Sequence, residues 1–420
     1  MTAVTPDNDA IFTVDGVPLK TQLRRAERMR KLKAIGLIMP LFLFLMVTFI
    51  YPIGTLLVQV YQNPEMNEVL PRTAAAMRAW NGEGLPGDAT LAIFATEAGK
   101  AMKAKVLAKA AKRLNYDISG FRSLMMKTGR KLKKKAPPES GVIDFLTKID
   151  KHWGQTKYWS AIKRASSTIS PFYILAALDL KQNSAGEIVS APKNVSIYLN
   201  VLGRTFWISF VVTVFCLALG YPVAYLLATL PTKQSNLLMI LVLLPFWTSL
   251  LVRTTAWVVL LQTKGLINDL AIRLGLWTEP IQLIYNRTGV YVAMVHILLP
   301  FMVLPIFSVM KGISPTHMRA ALSLGANPLR SFIKVYVPQT IPGVGAGVLL
   351  VFIISLGYYI TPALVGGARD QMQSQFIVYF TNETLNWGMA AALSIVLLVL
   401  VIIFYWLYDR VVGIDKMKLG

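Results

Sequence analysis

The sequence predicts an all-α integral membrane protein that crosses the bilayer six times. Of its 420 residues, 55% are hydrophobic and only 15% are charged, against about 25% charged in ordinary soluble domains. The chain contains six long apolar runs, and roughly 20 apolar residues suffice to cross the hydrocarbon layer as a helix. These runs are continuous rather than alternating, which favours helices over the strands of a barrel. The composition excludes a disordered chain and argues against a soluble enzyme.

The first two segments are a basic N-terminal stretch and the first transmembrane helix. Residues 1–34 carry seven Lys and Arg just ahead of the first apolar run. That run, within residues 35–62, is too long for the hydrophobic region of a cleaved signal peptide. We therefore expect it to remain as a transmembrane helix.

Residues 63–198 have a different composition and form a predicted basic insertion. No apolar run in this segment is long enough to span a membrane. Between Phe94 and Leu114, apolar residues recur at helical spacing, and five lysines and Arg113 lie among them, which predicts an amphipathic helix. The insertion is expected to lie outside the cell membrane.

Residues 199–412 hold the other five spans, and residues 413–420 form a short tail. The spans are predicted at about 204–230, 237–261, 288–310, 341–365 and 388–408. With both termini in the cytoplasm, fifteen Lys and Arg fall in the inside segments and four in the two short outside loops, as membrane topology favours. The basic insertion departs from this rule, but loops beyond about 60 residues translocate largely regardless of charge.

The loop between the fourth and fifth spans carries the most specific signal. Ser314 is a helix cap and Pro315 suits the first helical position. This helix is expected to end at Gly325 in a left-handed conformation. Asn327 and Pro328 then predict the start of a second short helix, which should end before Pro338.

This loop resembles the signature loop of the inner-membrane permeases of binding-protein-dependent ABC importers. Their pattern is Glu-Ala-Ala, three spacers and Gly, followed at a distance by an apolar-Pro element. The present chain contains Arg319-Ala320-Ala321-Leu322-Ser323-Leu324-Gly325 and then Val337-Pro338. Arg319 replaces the usual Glu, so we expect an acidic or neutral contact on the partner.

The resemblance implies a type I ABC importer permease with a helical extracytoplasmic insertion. Loop 314–338 would bind a cytoplasmic ABC ATPase dimer and transmit its closure to the transmembrane helices. The residues that the resemblance assigns to this coupling are Arg319, Ala320, Ala321, Leu324, Gly325, Ala326 and Pro328. Further implied partners are a second permease subunit, a periplasmic solute-binding protein and membrane lipid, in the inner membrane of a bacterium. No nucleic acid is expected.

Two further segments are similar to the spermidine/putrescine branch of that family. They are the stretch from Leu244 to Thr254 and the Gly220-Tyr221-Pro222 element, whereas the large basic insertion departs from that branch. The resemblance therefore implies a polyamine-like solute. The net charge of +22 and the absence of acidic residues from the predicted spans favour an anionic or neutral solute instead.

Several residues within the spans are candidates for the translocation path: Trp247, Thr248, Arg253, Trp257 and His296. Arg253 either lines this path or is tethered to a carbonyl group. Tryptophans more often mark the membrane interface, and a histidine such as His296 more often forms a hydrogen bond across helices. Pro245 predicts a kink or a break in its helix.

The insertion has two interpretations of equal standing. It is either a small helical cap that steers the binding protein or covers the pore, or a weakly ordered basic elaboration on lipid head groups.

Catalytic chemistry is not indicated by any motif in the sequence. It has no Gly-rich ATP-binding loop ending in Gly-Lys-Ser/Thr, no metal-ligand spacing and no nucleophile elbow. We therefore predict a non-catalytic subunit without cofactors, for which a partner hydrolyses ATP. A secondary transporter or channel that works without an ATPase is the alternative, although it should carry ionisable residues in its spans. A membrane scaffold would leave the loop unexplained.

Overall fold

A computed structural model describes residues 19–183, 186–193 and 195–412, and these residues are mostly helical. Within these described ranges, six helical segments are long and apolar enough to cross a membrane, which confirms the predicted fold class. They are Ala26–Gln59, Tyr198–Thr229, Leu250–Arg273, Arg287–Gly312, Pro328–Gly357 and Trp387–Arg410. The first part of the predicted basic N-terminal segment and the predicted tail 413–420 lie outside the described residues.

The described residues from Leu19 to Val58 belong to a compact unit of their own. Its two helices are α1, Leu19–Leu45, and α2, Tyr51–Gln59, joined by one wide π-helical turn at Met46–Ile50. The helical chain is therefore continuous through the predicted first span.

The described part of the insertion folds into eight short helices and a two-stranded hairpin. The helices are α3 Pro64–Val69, α4 Pro71–Ala79, α5 Asp88–Lys103, α6 Leu107–Asp117, α7 Phe121–Lys134, α8 Val142–Ile149, α9 Thr156–Ser166 and α10 Phe172–Ala177. A single 3-10 turn, Lys151–Gly154, precedes α9. Strands β1, Leu180–Gln182, and β2, Ile188–Ser190, pair antiparallel with Leu180 opposite Ser190.

The single amphipathic helix predicted between Phe94 and Leu114 is two helices, α5 and α6. The chain turns at Lys105, whose φ of 61° is left-handed and cannot continue a right-handed helix. Phe94 lies before this turn and Leu114 after it, and both are fully buried. The apolar spacing therefore continues across the turn and does not reveal it.

Aromatic side chains form the centre of the insertion. Phe94, Trp153 and Trp159 are fully buried, and the ring centroids of Phe94 and Trp153 are 5.0 Å apart. The indole of Trp159 donates to the carbonyl of Trp153 at 2.8 Å, so its polar edge is satisfied inside the core. This packed core argues against the weakly ordered alternative.

The remaining helices form the membrane core. They are α11 Tyr198–Thr229, α12 Thr232–Leu243, α13 Leu250–Leu261, α14 Leu266–Arg273, α15 Arg287–Gly312, α16 Pro315–Ser323, α17 Pro328–Ser331, α18 Val337–Gly357, α19 Ile360–Val365, α20 Gln373–Val378 and α21 Trp387–Val412. Helices α11, α15 and α18 pack together around one apolar cluster.

The predicted third span, 237–261, is interrupted in the structure. Helix α12 ends at Leu243, and a 3-10 turn at Leu244–Trp247 separates it from α13. Pro245 lacks a backbone N–H, and the Ser249 side chain accepts from the Val252 N–H to begin a new helix. The two signals together produce a break rather than a kink.

The fifth span begins earlier than the predicted 341–365. Helix α17 continues through a π-helical turn, Phe332–Tyr336, directly into α18. The prediction that the second loop helix ends before Pro338 is therefore wrong. Proline is tolerated because Pro338 is the second residue of α18 and follows this wide turn. The chain leaves the helix at Gly357, and residues after it form the separate α19.

The insertion packs on the start of the last span. A Cβ at Gly388 would lie 2.3 Å from the Tyr173 ring, so only glycine permits this contact. The Lys112 ammonium donates to the carbonyl of Thr384 at 2.6 Å. Next to these contacts, the Arg113 guanidinium stacks 3.7 Å from the centroid of Phe172. The insertion is thus held against the segment that leads into α21.

Candidate functional site

The first helix of the loop between the fourth and fifth spans has both of its predicted ends. The Ser314 side chain accepts from the backbone N–H of Thr316 at 3.3 Å, which caps α16. At the other end, Gly325 has a φ of 87°. The Ala326 N–H donates to the Ala321 carbonyl at 3.1 Å, and these bonds complete a glycine-based stop.

The second helix is capped as the sequence predicts. The Asn327 Oδ1 accepts from the Arg330 N–H at 2.7 Å, and Pro328 occupies the first helical position. The sharp turn between α16 and α17 therefore follows from four local residue types, without help from the rest of the chain.

Apolar side chains on this loop are exposed. Leu324 is 88% exposed, Leu329 is 68% exposed, and α16 has no buried residue. The structure brings all the predicted coupling residues together on this loop, with Ala321 and Ala326 half-buried and the others exposed. Contiguous exposed leucines beside small residues are typical of a surface that another protein covers.

The loop is anchored to the fifth span. The His317 imidazole lies 2.8 Å from the Oε1 of Gln339, which links α16 to α18. The rings of Phe332 and Tyr336 stack with centroids 5.5 Å apart, and Tyr225 of α11 packs edge-on against both. The loop and the turn that follows it are therefore in direct contact with α18 and α11.

Two glycines bring the fifth span against the fourth. A Cβ at Gly343 would lie 2.9 Å from the Pro305 carbonyl oxygen, and one at Gly347 would lie 2.9 Å from the Met302 sulfur. The two positions are one helical turn apart, the small-xxx-small spacing that lets transmembrane helices approach closely. The fifth span thus meets the fourth through a close backbone contact.

Arg253 contacts the break in the third span. Its Nη2 donates to the Thr248 carbonyl at 2.9 Å, and its Nε lies 3.4 Å from the Thr248 hydroxyl. The tether that the sequence left open as one alternative is therefore present. It satisfies a carbonyl that the break at Pro245 releases from helical bonding.

Trp257 and His296 form a contact between the third and fourth spans. The indole N–H donates to the imidazole Nδ1 at 3.1 Å, and the rings meet edge to face. This confirms the expected cross-helix hydrogen bond of His296. Four of the five predicted path residues thus form two hydrogen-bonded pairs, Thr248 with Arg253 and Trp257 with His296. The fifth, Trp247, is 70% exposed.

The sequence did not predict two polar contacts that involve the helices of the third and fourth spans. The hydroxyls of Thr254 and Thr361 lie 3.2 Å apart and join α13 to α19. The Nε of Arg287 lies 3.0 Å from an oxygen of Asp370, whose side chain is 9% exposed. Both pairs are far apart in sequence, and no local pattern indicates either of them.

Comparison with known proteins identifies a family for half of the chain. Residues 200–412 match the family described as binding-protein-dependent transport system inner membrane component. The chain is 37% identical over 221 residues to the spermidine/putrescine transport system permease protein PotB of Escherichia coli, an alignment that covers 52% of this chain and 80% of that protein. It is 34% identical to the protein of the same name from Haemophilus influenzae, with 51% and 75% covered.

One further relative and one solved structure are also similar to about half of this chain. The inner membrane ABC transporter permease protein YdcU of Escherichia coli is 30% identical over 241 residues, with 54% of this chain and 74% of that protein covered. A solved structure of a bacterial alginate ABC transporter with its alginate-bound periplasmic protein aligns with a TM-score of 0.45 at 15% identity, over 53% of this chain and 80% of that one.

The family match favours the importer over the secondary transporter or channel, and it confirms the resemblance seen in the loop. The chain belongs to the binding-protein-dependent transport system inner membrane components and is a permease component of an ABC importer.

Proposed function

We propose that loop 314–338 is the point at which this permease receives force from a cytoplasmic ABC ATPase dimer. The observation that carries the proposal is the exposed, doubly capped loop whose second helix runs unbroken into the fifth span. An ATPase groove that grips α16 would move α18, and α18 would move the fourth span through Gly343 and Gly347.

The chemistry of the loop surface specifies what the ATPase groove should offer. Leu324 requires an apolar pocket, because its side chain is almost fully exposed in this chain. Arg319 is exposed and has no ion-pair partner among the described residues, so the groove should present an acidic or neutral group there. The small side chains of Ala320 and Ala321 would allow close backbone approach.

The assembly and topology follow from the same proposal. Two permease subunits, identical or related, would enclose the path, with two ATPases inside and a solute-binding protein outside. Both termini would be cytoplasmic in a bacterial inner membrane, as the distribution of Lys and Arg among the loops favours. The insertion would then form an outer cap beside the path and could contact lipid head groups.

The proposed solute is polyamine-like, because the relatives with 34–37% identity are named as spermidine/putrescine permeases. An anionic or neutral solute is the second candidate, and charge favours it. The insertion alone carries 22 Lys and Arg against 11 Asp and Glu. Uptake of radiolabelled putrescine, spermidine and an anionic or neutral competitor by the complete importer distinguishes the two candidates.

Co-purification of the ATPase with substituted permeases tests the coupling site. A leucine buried at an interface contributes about 2 kcal/mol, so Leu324→Asp should weaken ATPase association by about thirtyfold. The matched control is Leu276→Asp, a 68% exposed leucine in a predicted outer loop. Equal ATPase recovery with both variants would contradict the proposal.

A second variant separates docking from transmission. Gly325→Pro cannot adopt the φ of 87° that ends α16, so the angle between the two loop helices must change. We expect ATP hydrolysis without solute uptake, while insertion into the membrane is unaffected. Normal uptake by this variant would show that the angle is not used.

A further inference from the structure

A cavity lies beside the segment that joins the fifth and sixth spans. Its volume is about 530 Å³, within the range of small-molecule sites. Helices α19 and α20 and the π-helical turn Tyr379–Glu383 form its walls. The polar lining residues are Tyr359, Gln371, Gln375, Tyr379 and Glu383.

The lining of this cavity is rich in hydrogen-bond acceptors. Glu383 is its one charged lining residue, and no Lys or Arg is among the side chains that the structure places on its wall. The Oε1 of Gln375 is buried and has no hydrogen-bond partner, although buried polar atoms are rarely left unpaired. A ligand with several N–H donors and a positive charge would satisfy this set.

Aromatic rings add a second attraction for a cation. Tyr359 and Tyr379 line the cavity, with 36% and 43% of their surfaces exposed. The face of an aromatic ring attracts an ammonium group, by about 0.5–1 kcal/mol at exposed sites. Carboxylate, carbonyl and aromatic faces together are the groups that bind an alkylammonium.

The insertion fixes the turn that carries Glu383. Leu385 has a φ of 50°, a left-handed conformation that a leucine adopts only when its surroundings impose it. On one side of Leu385, the carbonyl of Thr384 accepts the ammonium of Lys112. On the other side, Asn386 Oδ1 accepts from the Met389 N–H at 3.2 Å and begins α21. Lys112 is thus a positioning residue for the turn.

We propose that this cavity is an outer subsite for an ammonium group of the transported solute, with Glu383 as the residue that selects for positive charge. The inference rests on the polyamine-like solute proposed above. It provides the carboxylate that the predicted spans lack, at the end of the last span on which the insertion packs. A diamine would place one ammonium here, and its chain would extend toward the rest of the path.

Direct binding tests the subsite, because the concentration dependence of uptake in such importers also reflects the separate binding protein. The complete permease and ATPase complex, in nanodiscs without the binding protein, is titrated with putrescine. A charge-assisted contact at an exposed carboxylate predicts that Glu383→Gln raises the Kd by about fivefold to tenfold. Glu383→Lys should abolish detectable binding. The matched control, Glu139→Gln, removes an exposed carboxylate outside the cavity and should leave the Kd unchanged.

The outcomes separate this subsite from the proposed function. If Glu383→Gln binds putrescine as tightly as the wild type, the subsite is refuted and the polyamine importer stands. The same conclusion follows if the wild-type importer takes up putrescine but its complex binds none without the binding protein. If the wild-type importer takes up no polyamine at all, both proposals are refuted.

Discussion

The close contact between the fourth and fifth spans gives a prediction that can be worked out from distances. Gly343→Ala would place a Cβ 2.9 Å from the Pro305 carbonyl oxygen and 3.0 Å from Ile306 Cα, whereas ordinary contacts begin at 3.4 Å. The two helices must therefore separate by about half an ångström. Overpacking of this kind destabilises the folded state by about 1–3 kcal/mol. The higher helix propensity of alanine offsets up to ~1 kcal/mol of this loss.

The matched control isolates the contact from the propensity. Gly203 is also helical, but nothing lies within 4 Å of a Cβ built there. Gly203→Ala should be neutral or stabilising by up to ~1 kcal/mol. The two variants should therefore differ by about 2 kcal/mol. Because the unfolding entropy grows with chain length, this corresponds to roughly 2 °C in Tm for a chain of 420 residues.

Thermal denaturation of the purified complex measures this difference, and the ratio of ATP hydrolysis to uptake measures its consequence. Gly343→Ala should melt at the lower temperature and transport less solute for each ATP hydrolysed. If the two variants melt together, the close contact does not stabilise the bundle. If Gly343→Ala couples normally, force does not travel through this contact.

Three further predictions concern single polar groups. The hydrogen bond from Lys127 holds the pKa of Asp150 at about 2, below its ordinary 3.8. The ionised Asp150 carboxylate therefore stabilises the folded state fully above about pH 4, and this stabilisation is lost as the pH falls toward 2. Asp150→Asn should therefore have a lower Tm than the wild type at pH 7, and the gap should close between pH 4 and pH 2; a gap that persists at pH 2 would contradict this. Trp257→Phe removes the hydrogen bond to His296 and should cost about 1 kcal/mol, seen as a lower Tm of the complex, whereas an unchanged Tm would refute this role. Arg113 is 2% exposed, and Arg113→Met leaves its buried partners unpaired at a cost of about 3–5 kcal/mol. Limited proteolysis should therefore cleave the insertion of this variant faster than that of the wild type. Equal resistance of the two proteins to cleavage would contradict this prediction.

The loop at 314–338 could be predicted well because its signals are local. Ser314, Gly325 and Asn327 act within three or four residues of their own positions, so their caps form wherever the loop lies. The same local reasoning failed at Pro338. A proline usually marks a helix boundary, but a π-helical turn just before it allowed the helix to continue.

The polar contacts of the candidate path could be predicted only in part. The residue types of Arg253 and His296 indicated that each needs a partner within an apolar span. Which partner each would find depended on the break at Pro245 and on the packing of the third span against the fourth. Glu383 gave no signal at all, because its cavity is built by helices that the sequence assigned to a loop and to the end of a span.

Coupling through loop 314–338 requires that this loop face the cytoplasm, and cysteine labelling measures which side of the membrane it faces. Leu324→Cys is made in a Cys216→Ala background, since the native cysteine is the only one in the sequence and is buried. The permease, with and without its ATPase, is then labelled with a membrane-impermeant maleimide in vesicles of either orientation. We expect labelling in inside-out vesicles when the ATPase is absent, and protection when the ATPase is bound. Labelling only in right-side-out vesicles would place the loop on the far side of the membrane and contradict coupling through it.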